Sequence, residues 1–502
     1  MPCHESDSID RRGFLKSAAG VAAAAAVAPG LIASAQAAQA PSASKEKLIG
    51  IQAGAVSFVD EGVDQALDNF QNKGNVNTIF LATFTYGRGI GGRQVPGQPL
   101  PDHGKQEYDD KTFRGGNYAT PHAPFYVNTA LKQTRAPDHG DLDILELVLP
   151  KAKQRGMKVY CWYEDNFSRD IPGIEPLQEI DIDGRRAPTL CPLNPDYRNF
   201  LTALTEDYCK SYDIDGVMWG SERQGPLNNA ITHPDDPGRA ACFCELHQHA
   251  ARERNIDVVR AKDGYKKLAD FIRAASAGQR PADGYFVTFW RLLLEYPEIL
   301  AWEKLWTDSK HAIYADIHKT AKAAKPNVQV GFHIWHQNSF SPFFRAEQEY
   351  DQFAKVADYL KIVLYNNCGG PRYARAVDTF GSTIFRDVPA DELQVLFNHL
   401  LNYGDEKPHD QLPTSGLSAN YVQRETRRAL QDVAGKCKIY PGIDIDIPTD
   451  ATQKKTAPQD VHDATLAALS AGADGVIFSR KYSEMRLANL AAGGAAVKET
   501  AR

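Results

Sequence analysis

The sequence predicts a (β/α)8 barrel, and three observations carry that prediction. Apolar strand-like runs alternate with helix-like segments, the pattern of parallel βα units. The runs number eight, at 48–58, 76–84, 158–163, 214–219, 328–335, 359–365, 438–445 and 475–479. Several of them end in carboxylates, amides, imidazoles or cations, as strands do where a barrel carries its chemistry. A doubly wound open sheet is the main alternative, but it leaves eight strands without a phosphate loop to justify them. With 502 residues, 43% hydrophobic and 24% charged, the chain can bury a large core.

The chain opens on Asp10-Arg11-Arg12-Gly13-Phe14-Leu15-Lys16, followed by an apolar run over 18–28 and small residues through Ala40. That segment resembles a bacterial twin-arginine export signal, and Ala33-Ser34-Ala35 suits cleavage. The expectation is a signal peptide over 1–40, a linker over 41–47 and a barrel over 48–495, in a periplasmic or secreted protein. A net charge of −6 gives no reason to expect nucleic acid, and no membrane association is expected beyond export.

Helices are expected over 63–73, 144–155, 195–212, 302–324, 346–356, 421–433 and 458–471, with Gly74, Gly156 and Gly472 as C-caps. The segment 195–212 places Phe200, Leu204 and Tyr208 at four-residue spacing, one face of an amphipathic helix. Two connections are longer than a barrel needs, 86–141 after strand two and 224–297 after strand four. Both should rise over the C-terminal face and wall a site.

The fourth run, Asp215-Gly216-Val217-Met218-Trp219-Gly220, leads into Ser221, Glu222 and Arg223. Gly216, Met218, Gly220 and Glu222 share one strand parity, so Glu222 should point over the barrel axis if the extended backbone continues. The seventh run places Asp444 and Asp446 on one parity and isoleucines on the other, which should turn both aspartates to the mouth. A structural ion pair is the alternative for Glu222 with Arg223, and for one of the aspartates. The third strand adds Tyr160, Trp162 and Glu164, then Asp165 and Asn166. The fifth adds His333, Trp335 and His336, the sixth Tyr365 and Asn366, and the eighth Arg480 and Lys481, whose charges should depress a neighbouring carboxyl. Aromatic faces beside carboxylates and amides suit sugars, which stack on rings and hydrogen-bond through hydroxyls.

The match of Cys191-Pro192-Leu193-Asn194-Pro195, Tyr197 to Leu201 and Tyr212 to Val217 resembles the helix and fourth strand of secreted glycoside-hydrolase-type TIM-barrel proteins of the glycosidase superfamily. The resemblance implies hydrolysis of a glycosidic bond, with Glu222 as acid/base and Asp444, or failing it Asp446, as the second carboxylate. Trp162, Glu164, His333, His336, Tyr365, Asn366, Arg480 and Lys481 are the expected substrate contacts, Glu164 serving as reserve acid. Those proteins often carry Asp at the fourth-strand end where this chain has Gly220 and Ser221. Two other readings remain at this level: a metal-dependent sugar isomerase or epimerase using Glu222, His333 and Asp444, and a non-catalytic sugar-binding barrel.

No cofactor or metal is expected. Beyond Cys3, cysteines stand at 161, 191, 209, 242, 244, 368 and 437 with no repeated C-x-x-C pair. Cys242-Phe243-Cys244, near His247 and His249, lacks a facing half of a metal clip and reads as ordinary helix packing.

Overall fold

The computed structural model describes residues 46–85, 91–93, 97, 99–107, 109, 112–165 and 171–500. The expected signal peptide, and Asn166, lie outside these residues. Eight parallel strands close on themselves: β1 (Leu48–Ala53), β2 (Thr78–Thr85), β3 (Lys158–Glu164), β4 (Gly216–Gly220), β5 (Gln329–Ile334), β6 (Tyr359–Val363), β7 (Lys438–Asp444) and β8 (Gly475–Ser479). Each pairs with the next, and β1 pairs with both β2 and β8, so the sheet has no free barrel edge. This is the (β/α)8 barrel that the alternation predicts.

The strand parities sort the residues as a barrel requires. Phe80, Tyr160, Trp162, Met218, Tyr359 and Tyr440 fill the interior. Val217, Trp219, Ile443 and Ile445 face outward into the shell packed by helices. Interior volume is limited, and glycines make room for the large groups. A Cβ on Gly331 would stand 2.2 Å from the Tyr359 ring, and one on Gly442 would stand 2.8 Å from Lys361 Cε.

The helix Pro195–Ser211 begins where expected because Asn194 accepts hydrogen bonds from the Asp196 and Tyr197 amides, with Pro195 in the first turn. Phe200, Leu204 and Tyr208 are buried along its inner face. Three expectations are corrected. The first strand ends at Ala53, and 55–58 belong to the helix Ala55–Glu61, since 48–58 is buried throughout and carries no period to separate strand from helix. The single helix expected over 346–356 is two, Pro342–Glu347 and Tyr350–Ala354, the second restarted where Asp432 accepts the Tyr350 amide at 2.8 Å. Gly156 and Gly472 adopt positive φ at helix ends, but beside Gly74 it is Asn75 that takes the left-handed position, at φ 53°.

Both long connections follow the strands named for them. The second carries the helices Pro226–Thr232, Glu245–Glu253, Val258–Ser276 and Tyr285–Glu295. Two further excursions rise over the same face. One is a hairpin after β3, Gln178–Ile180 with Arg186–Leu190, and the other is the helical layer Asn366–Gly381 and Ala390–Leu401 after β6. Among the described residues no helix is long and apolar enough to cross a membrane.

Candidate active site

Parallel strands deliver their C-terminal residues to one end of a barrel, and here that end carries a connected polar cluster. Glu222 stands two residues beyond β4, its side chain 41% exposed toward the cleft above and enclosed by protein elsewhere. Its Oε1 lies 2.9 Å from His333 Nε2. On the other side of that ring, Nδ1 is 3.2 Å from Lys361 Nζ, which also donates to Gln52 Oε1 at 2.7 Å and Tyr365 Oη at 2.6 Å. Three acceptors match the three N–H donors of an ammonium. Ser479 Oγ donates to the same Gln52 oxygen at 2.8 Å, so five strands share one network.

The network fixes protonation. Burial and the Lys361 charge lower His333 against the pull of Glu222. The ring is therefore neutral near pH 7, accepting at Nδ1 and donating from Nε2–H to Glu222, a tautomer assigned from its partners. Burial pushes Glu222 up, but the hydrogen bond and charge interaction with His333, and then the charges of Arg372 and Lys361, outweigh it and leave this carboxyl below its usual value. The His333 hydrogen bond is the largest of these pulls on Glu222. Burial brings Lys361 down to about 7 against the opposing charges of Glu222 and Glu164.

Glu164 behaves in the opposite way. Burial and then the Glu222 charge push it up to about 8, while Arg480, Lys361 and Lys481 pull in the other direction. Its Oε2 is buried without a hydrogen-bond partner among the described residues, as are Trp162 Nε1, Gln52 Nε2 and Asn366 Oδ1. Two carboxyls in electrostatic reach, one protonated and one ionised, are the arrangement that acid/base chemistry uses.

A cleft of about 350 Å³ opens above this cluster. Glu222, Trp335, His336 and Arg372 line it, and the connection after β4 supplies Thr232 and His233 as a wall. His336 is buried beside the cleft, its Nε2 3.1 Å from Tyr421 Oη, and burial with the Arg372 charge keeps it neutral. Tyr365 and Trp162 are almost fully buried, Trp162 among the residues that fill the barrel interior.

The seventh strand does not bring its aspartates into the cleft. Asp444 has no exposed surface and accepts the Cys368 amide at 2.8 Å and the Ile447 amide at 3.1 Å, anchoring the helix Asn366–Gly381. Burial raises it to about 6. Asp446 adopts φ 57°, which breaks the strand alternation and turns its side chain away. There it accepts from Arg486 Nη2 at 2.8 Å, the Arg486 amide at 2.8 Å and Asn489 Nδ2 at 2.8 Å. Arg223 pairs with Asp165 at 3.0 Å and Glu179 at 2.5 Å, which leaves Glu222 to His333. Arg480 pairs with Glu484, and Lys481 is fully buried, donating to the Gly92 carbonyl at 2.6 Å. Among the expected substrate contacts, these two act on the site by charge through Glu164.

Lys361, Arg372 and Gln52 were not singled out by the sequence pattern. A lone lysine within Tyr-Leu-Lys-Ile-Val, on the inward parity of Tyr359 and Tyr365, is the signal that points to the first of them. Glu222, His333 and Asp444 do not converge as a metal triad. Among the described residues the group placed to hold an ion is Cys191, Cys242, Cys244 and His247, all ligand atoms lying within 4.8 Å of one another. Cys191 is the facing half that the sequence did not reveal; His249 stays outside and exposed.

Fold and mouth together define a (β/α)8-barrel protein with a connected polar cluster at its strand ends. No protein-family model matches the chain, and no curated protein sequence matches it. Among solved structures, its neighbours are glycoside hydrolases. The polyextremophilic β-galactosidase from the Antarctic haloarchaeon Halorubrum lacusprofundi is similar with a TM-score of 0.51 at 14% identity, over 90% of this chain and 58% of that one. The PgaB (BpsB) glycoside hydrolase domain from Bordetella bronchiseptica gives 0.46 at 13%, over 86% and 94%. α-L-Fucosidase isoenzyme 2 from Paenibacillus thiaminolyticus gives 0.46 at 14%, over 90% and 49%. At these identities the likeness is one of fold.

Proposed function

We propose that the protein hydrolyses a glycosidic bond at the barrel mouth, with Glu164 and Glu222 as the working pair. The observation that carries this reading is that Glu222 lines an open cleft and lies within charge reach of Glu164, whose carboxyl is pushed up by burial and the Glu222 charge while His333 holds Glu222 down. Glu164 donates its proton to the glycosidic oxygen as the bond to the anomeric carbon breaks. Glu222, held ionised by His333, either forms the ester to that carbon or takes the proton of the attacking water. Retention of the anomeric configuration, read by proton NMR of the first product, assigns it as nucleophile; inversion assigns it as base. Glu222 thus becomes the ionised partner instead of the acid, and Glu164 replaces Asp444. The unpartnered Trp162 Nε1, Gln52 Nε2 and Asn366 Oδ1 supply donors and an acceptor for sugar hydroxyls, and Trp335 supplies a face for the ring.

A hydrolysis screen of the full chain against oligosaccharides and aryl glycosides tests the reading. Turnover by wild type that survives unchanged in both Glu222→Gln and Glu164→Gln would remove it. The Arg11-Arg12 segment supports export through the twin-arginine route; replacing both arginines by lysine should leave the protein in the cytoplasmic fraction.

A further inference from the structure

Cysteine thiols and an imidazole gathered away from solvent have few partners as good as a metal ion. Cys191 ends the hairpin that follows β3, just ahead of the helix Pro195–Ser211. Cys242 and Cys244 lie in the connection after β4, and His247 follows one turn into the helix Glu245–Glu253. Folding across 53 residues places Cys191 Sγ 3.6 Å from Cys244 Sγ. His247 Nδ1 lies 3.4 Å from Cys191 Sγ and 3.6 Å from Cys244 Sγ. A tetrahedral zinc ion with bonds of about 2.3 Å to sulfur and about 2.1 Å to nitrogen requires edges of roughly 3.8 Å and 3.6 Å. These three edges fit with little adjustment, and all four ligand atoms, Cys242 Sγ included, lie within 4.8 Å of one another.

We propose that Cys191, Cys242, Cys244 and His247 form a structural zinc site that clasps two loops over the barrel mouth. Four protein ligands close the tetrahedron and leave no position for substrate, so the ion holds structure and does no chemistry. Binding exchanges three thiol protons for the metal. The surroundings suit that role. Cys191, Cys242 and His247 are buried, and the Ile180 amide donates to Cys242 Sγ at 3.4 Å, the kind of outer hydrogen bond that steadies a thiolate ligand. Trp302 Nε1 donates to the Cys242 carbonyl at 3.1 Å. His247 Nδ1 faces the two sulfurs, which leaves it free to take the metal, while the buried Nε2 has no hydrogen-bond partner among the described residues. From the clasp, Trp306 packs on Cys191 and Cys242 and donates to Glu179, which pairs with Arg223, the residue after Glu222.

Metal content and thiol reactivity of the full chain, measured without substrate, test the site separately from the hydrolytic reading. Elemental analysis of the purified wild type should give one zinc per chain, and titration of its thiols with a mercurial should release that zinc to a chromogenic chelator. Cobalt(II) exchanged into the site should show thiolate charge-transfer bands and tetrahedral d–d bands. Cys244→Ser and Cys191→Ser should lose the equivalent of metal, while His249→Ala should keep it. Wild type with all thiols reactive and no bound metal, or with Cys191 in a disulfide, overturns the proposal even if the variants fail to fold.

Discussion

The ends of β3 and β4 on one side and of β7 on the other look alike in sequence, since each side delivers carboxylates from strand ends, yet the structure uses them in opposite ways. Asp444 and Asp446 have their oxygens filled by amides, Arg486 and Asn489. Glu222 has one strong partner, His333, and opens on a cleft, and Glu164 keeps an oxygen without one. A carboxylate whose acceptor sites are all occupied is anchoring structure; one left short of partners is available to a ligand.

Substitutions at the two ends separate these roles. Glu222→Gln should have the largest effect, lowering kcat by roughly 10³-fold or more with the fold intact by circular dichroism, since it removes the ionised carboxylate. Glu164→Gln should lower kcat by about 10²-fold or more on natural glycosides, with much less loss on substrates whose leaving group needs no proton. The alkaline limb of the wild-type pH profile, expected near 8, should vanish with it. A linked effect on stability should follow. The folded protein keeps the Glu164 proton up to about 8, whereas the unfolded chain releases it near 4.5, so stability falls as pH rises through that window. Denaturant midpoints of Glu164→Gln should show a shallower fall.

His333→Ala removes a hydrogen bond to a charged group, about 1.5–3 kcal/mol, and should cost roughly ten- to a hundred-fold in kcat/KM while moving the acid limb upward. Trp335→Ala should raise KM only a few-fold, in line with roughly 0.5–1.5 kcal/mol for stacking. Asp446→Asn should leave kcat within error and lower stability by about 1–3 kcal/mol in urea, because Arg486 loses its charged partner. A large loss of kcat there would erase the distinction between the two strand ends.

Much of the barrel was legible because a strand between helices and a packed interior leaves a period in the residues. The parities of β4 and β7 put Met218 inside and Ile443 and Ile445 outside, as the alternation requires. Glu222 was legible for the same reason. Asp446 was not, because its alternation ends in a single positive φ that a non-glycine residue does not announce. Arg372 was hidden in a helix from a connection whose length gave no sign that it folds back over the cleft.

By itself the sequence determined the count and order of the strands, the face-sharing residues of the third, fourth and seventh, and the carboxylate beyond the fourth. Those depend on neighbours along the chain, where periodicity is written. Only the tertiary structure decided that burial and the Glu222 charge push Glu164 up while a buried histidine holds Glu222 down, and that Cys191 meets Cys244 and His247. Those depend on distances between residues far apart in the chain, and folding alone brings them within the few ångströms over which hydrogen bonds, charges and metal ligands act.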